Sequence, residues 1–140
     1  MIAFEFKRLY YKRTSEMSAL GAFCNTLVQF FEELTETYPE EKDIRMAWQA
    51  LKLMKQANPR LMHTFFMEHV YTEFVDHIMN EDEDYLLKRA HDILNSQYAE
   101  INYAFWIFDK HWSTMTETNK QHVWAYLKAI VVLAQKVGSQ

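Results

Sequence analysis

Two glycines, two prolines and one cysteine are all that this 140-residue chain holds of the residues that break or cross-link a backbone. Phosphate-cradling loops, dinucleotide turns and nucleophile elbows need glycine where φ is positive. With only Gly21 and Gly138 available, those motifs are excluded. Tight hairpins lose their turn residues for the same reason. Cys24 stands alone, so no internal disulfide forms and no C-x-x-C redox or zinc pair exists. No run of about 18 apolar residues occurs, so no membrane-spanning helix is expected. The opening MIAFEFKRLYYKR has no continuous apolar stretch and contains Glu5, which fits neither a secretory signal nor a transit peptide. Positive charge is not in excess either. The net charge of −4 supplies no global field to gather nucleic acid, and an intracellular chain is expected.

What is present is apolar and aromatic. Hydrophobic residues make up 49% of the chain and aromatics 16%, while the charged fraction, 24%, is that of an ordinary globular protein. A chain of this length is expected to form one domain, residues 1–140, and to bury about two-thirds of its unfolded surface. The apolar residues recur at intervals of three and four rather than two. The expected fold is therefore all-α, a single compact bundle of five to six helices joined by short polar links. Residues 1–13 form a basic aromatic arm and 15–137 the bundle. Within it, Thr14 or Ser15 caps a helix reaching Thr37, with Leu20, Phe23, Cys24, Leu27, Phe30, Phe31 and Leu34 inward. Pro39 opens a helix that Asn58 ends, with Glu40, Glu41 and Asp43 in its first turn complementing the helix dipole. Pro59 opens another, continuous to about Met79. A further helix runs from Asp84 to about His111, weakest at Asn95-Ser96-Gln97. The last starts from a capping box, Thr114 with Glu117, and reaches about Lys136.

Four features invite a chemical reading. On the Pro59 helix, His69, Glu73 and Asp76 fall within roughly 60° of one another at 100° per residue, and such a set can hold a divalent metal. The same residues suit a hydrated polar face, which is the reading preferred; no Glu-x-x-His pair of the di-iron bundles occurs. The acidic run Glu81 to Asp84 lacks the central glycine of a calcium loop and reads as a helix link. Lys7, Arg8, Lys12 and Arg13 stand among Phe4, Phe6, Tyr10 and Tyr11 and give residues 1–13 a charge of +3, leaving −7 for the remainder. Such an arm can rest on a membrane or a phosphate backbone, but four charges bind weakly; packing on the bundle or on a neighbouring subunit is preferred. Finally, residues 101–112 are apolar on two sides: Ile101, Phe105, Phe108 and Trp112 on one, Tyr103, Trp106 and Ile107 on the other. Such a helix is either the centre of the bundle or an interface, where large aromatics dominate binding energy. No catalytic residue and no cofactor is assigned.

The chain also resembles a group of uncharacterised helical proteins encoded by large DNA viruses of algae and protists. The resemblance covers about residues 20–135. It is carried by Tyr38-Pro39-Glu40 closing a Phe-rich helix and by Asn58-Pro59 opening the next. Ile78 followed by Glu83-Asp84-Tyr85-Leu86, and Asn119-Lys120 before Val123-Trp124-Ala125-Tyr126-Leu127, complete it. It implies a viral origin and a place in the host cytoplasm or the virion, and brings no active site. The function expected is non-enzymatic protein–protein interaction with a viral or host protein, or with a second copy of the chain. Its contact residues would be Tyr103, Trp106, Ile107 and the basic quartet of the arm. A minor capsid-associated role is the alternative, and a metal-binding protein or enzyme a third. Nucleic acid and membrane are set aside as partners.

Overall fold

The computed structural model describes residues 18–94 and 107–138, the side chains of residues 94 and 107 excepted. Among them are six α-helices and no strand, so the chain is an all-α bundle. Helix α1 is Ala19–Thr37 and α2 is Lys42–Ala57. Helix α3, Pro59–Phe66, continues through a π-helical stretch, Met67–Tyr71, into α4, Thr72–Met79. Helix α5 is Glu83–Leu94. A π-turn at Ile107–His111 and a 3₁₀ turn at Trp112–Thr114 lead into α6, Glu117–Gly138. No helix among these is long and apolar enough to cross a membrane.

The helix boundaries follow local hydrogen bonding. Ser18, not Thr14 or Ser15, caps α1: its hydroxyl accepts the Gly21 N–H at 3.0 Å, relieving one of the unpaired first-turn donors. Pro39 does not open α2. The chain turns through Pro39 and Glu40, and the helix begins at Lys42, which leaves Glu41 at the cap position and buried. Asn58 ends α2 and starts α3, its side chain accepting the Leu61 N–H at 3.1 Å with Pro59 first in the helix. The link after α4 bends at Glu81, whose φ of 52° is left-handed. At the head of α6, Thr116 is the cap rather than Thr114: its hydroxyl accepts the Asn119 N–H at 3.1 Å. Thr114 instead donates to the His111 carbonyl inside the 3₁₀ turn.

Packing is organised around α1 and α6, the most extensive helix pair, with α2 and α3 against α1 and α4 against α6. One cluster of buried residues joins all six helices. The inward stripe expected for α1 holds, with Phe23, Cys24, Phe30, Phe31 and Leu34 buried. Rings interlock across elements: Phe23 meets Phe66 edge-on at 5.2 Å, and Trp112 meets Trp124 at 5.5 Å. Among the described residues, burial extends around much of α6, where Val123, Trp124, Tyr126, Ala129, Ile130, Val131, Leu133 and Ala134 are all enclosed.

Candidate functional site

Among the described residues the helices do not close everywhere. Between α2 on one side and the α3–α4 run on the other, floored by α1 and α6, lies an apolar cavity of about 520 Å³. Leu27, Phe30 and Phe31 of α1 and Leu127 and Ile130 of α6 form its floor. Helix α2 and the α3–α4 run meet at the Asn58 corner and contribute the two walls, Ala47, Ala50 and Met54 from one and Met62, Phe66 and Val70 from the other. Phe74, Ile78, Leu86 and Phe108 line it further on. Its volume is within the roughly 300–1,000 Å³ of small-molecule sites. Left unfilled, a closed void of that size would forfeit on the order of 10 kcal/mol of packing, comparable to the whole net stability of a domain. The cavity is partly open, and its mouth is marked by the exposed Met46, Ala50 and Phe65.

The α3–α4 wall depends on the π-helical stretch. Its row Met62, Phe66, Val70, Phe74 and Ile78 steps by four residues, and each such step drifts about 40° around an α-helix. The Thr72 N–H reaches back five residues to the Met67 carbonyl, and the wider turn takes up much of that drift. The row therefore keeps facing the cavity over about 24 Å of helix.

Polar groups gather elsewhere. Glu41 is buried, and one of its oxygens receives both the Lys110 ammonium at 2.8 Å and His111 Nε2 at 3.0 Å. Tyr38 stacks on the His111 ring at 4.0 Å. Burial opposes charge on Glu41, but the hydrogen bonds from Lys110 and His111 outweigh it and hold the carboxyl below its ordinary pKa. Glu40, Glu41 and His111 bring ligand atoms within 4.8 Å of one another, the spacing a metal bridges. The Lys110 ammonium already sits on the Glu41 oxygen such an ion would need, so the group is an ion-paired tie between the α1–α2 turn and the π-turn.

The second cluster joins α4 to α5. Glu73 accepts hydrogen bonds from Tyr85 Oη at 2.7 Å and Arg89 Nε at 2.6 Å, and His77 pairs with Asp82 at 2.9 Å while stacking flat on Tyr85. Burial opposes the Glu73 charge, but Arg89 and Tyr85 prevail and its pKa falls; Asp82 is lowered chiefly by its hydrogen bond to His77. The metal patch read from the sequence is therefore not assembled. Glu73 is turned to Arg89 and Tyr85, while His69 lies tilted against the ring of the exposed Phe65 and Asp76 is exposed. The three are not among the described groups with ligand spacing. Glu81 pairs with Lys128 of α6, and Glu83 accepts from the indole of the buried Trp112, so this link is indeed structural.

Of the expected contact residues, Tyr103, Trp106, Lys7, Arg8, Lys12 and Arg13 lie outside the described residues, and for Ile107 only the backbone is described. Phe108 and Trp112, on the opposite side of that segment, are buried, 4% and 1% exposed. The aromatic stripe is thus core where it is described. Cys24 is core as expected; burial raises its pKa to about 11, with Lys55 only partly offsetting it. The cavity and the Glu41 tie were not anticipated. Comparison with protein-family models, curated proteins and solved structures gives no match.

Proposed function

We propose that this chain is a non-enzymatic interaction protein that holds another protein against the exposed apolar surface of α2 and α3. One observation carries the reading. Leu53 and Met46 on α2 are 66% and 57% exposed, and Leu61 and Phe65 on α3 are 50% and 39% exposed. Leu53 and Met46 lie seven residues apart and Leu61 and Phe65 four, so each pair forms a stripe on its helix. Large exposed apolar side chains grouped in this way mark interaction sites, whereas single ones do not. Charge indicates the partner. Helix α2 carries Lys42, Arg45, Lys52 and Lys55 against Asp43, net +3 in a chain of net −4. A partner surface that is apolar with acidic flanks is complementary.

The virus-encoded origin implied by the resemblance makes infected-cell extract the place to seek that partner. Replacing Leu53 and Leu61 together by Asp places two charges on the surface without touching the core. The tagged double variant is expected to lose partners that the wild type captures, as read by quantitative mass spectrometry. Identical captured sets would discard the reading, and loss of a larger species on sizing without loss of any other protein would identify the partner as a second copy.

A further inference from the structure

The cavity lies behind this docking surface, and nothing in the proposed function uses its interior. Its walls select what can enter. Every lining side chain among the described residues is apolar, so none can orient a polar ligand or retain a chain of waters. The inner wall residues Phe74, Ile78, Leu86, Phe108 and Ile130 are each only 1–4% exposed. An α-helix, roughly 10 Å across with its side chains, fills about 400 Å³ per turn, so about 520 Å³ holds little more than one turn of helix, whereas it accommodates a single hydrocarbon chain. The lined length, about 24 Å from Met62 to Ile78, suits a long tail better than a compact ring. Met46, Met54 and Met62 give the wall flexible, polarizable side chains that adjust to an occupant of variable shape.

We infer that the cavity binds one long aliphatic chain, the tail of a fatty acid or membrane lipid, entering between Met46 and Phe65 with its polar end left at the mouth. Titration of the full chain with the fluorescent fatty acid cis-parinaric acid tests this. Saturable binding of one probe per chain is expected, half-saturated at a roughly micromolar concentration, and palmitic acid should displace it. Ala50→Trp blocks the mouth from an exposed helix position, and Val70→Trp narrows the space from the opposite wall. Each variant, if its circular dichroism and melting are retained, should weaken binding at least tenfold. The Leu53→Asp, Leu61→Asp pair lies off the cavity and should leave binding unchanged, which keeps this inference separable from the docking proposal. Uptake of labelled phosphatidylcholine from vesicles would identify the chain as a membrane lipid's, and binding of palmitic acid without such uptake as a free acid's. No saturable binding of either probe to the folded wild type, or equal binding by the wild type and both blocked variants, overturns the inference.

Discussion

Thr114 and Thr116 stand two residues apart at the head of α6, and both are residue types that cap helices, although only Thr114 has the Glu of a capping box three residues on. What separates them is Trp112, 1% exposed, which anchors a 3₁₀ turn that absorbs Thr114. A tertiary contact therefore chose the cap, which a local pattern cannot register. Thr116→Ala should cost about 1 kcal/mol in urea unfolding and Thr114→Ala less than about 0.5 kcal/mol. Glu41 carries a similar lesson. A first-turn acid is ordinarily solvated, but the start of α2 at Lys42 puts this one under the π-turn, 70 residues downstream. Its pKa is held below that of an unfolded glutamate, so the tie contributes fully above the unfolded value and is lost as pH falls through the folded one. Glu73 and Asp82 are lowered as well and act in the same direction. Stability should decline below about pH 4.5, and Glu41→Gln should destabilise by about 1–2 kcal/mol at pH 7 while flattening that decline. The Cys24 thiol, with its pKa pushed up to about 11, should resist a disulfide reagent in the native protein and react on unfolding.

At the scale of elements, the helices themselves were legible because apolar spacing of three and four, with so few breakers, leaves no other periodic structure. The π-helical stretch was not read, although a signal existed. Five apolar residues from Met62 to Ile78 separated strictly by four cannot all face one way on an α-helix. A widened turn is the remedy, and it lets the run carry one residue more than a regular helix would. Deleting Glu68, exposed within that stretch, should regularise the helix and leave the melting temperature within a few degrees of the wild type. Deleting Gln49, also exposed but in the regular α2, should rotate half that helix by about 100° and unfold the protein.

At the scale of the whole molecule, an apolar residue lining a cavity is written in the same letters as one packed against a neighbour. Ala47 and Ala134 are both small, buried and on an inward stripe. Only the divergence of α2 from the α3–α4 run, a property of three helices together, sets Ala47 on an open space. Substitution distinguishes them. Ala47→Leu should extend into the cavity and stabilise by about 1 kcal/mol, whereas Ala134→Leu, in closed packing, should destabilise by about 1–3 kcal/mol. Chemical denaturation of the two variants side by side would show opposite signs.

The pairing of α1 with α6 has a consequence for synthesis. A ribosome delivers Phe30 and Phe31 roughly ninety residues before the helix that covers them, so the nascent chain must carry an aromatic ridge without its cover for several seconds at ordinary elongation rates. Chains interrupted before residue 117 would be substrates for chaperones or proteases rather than partly working products, and folding should complete only once α6 has left the exit tunnel.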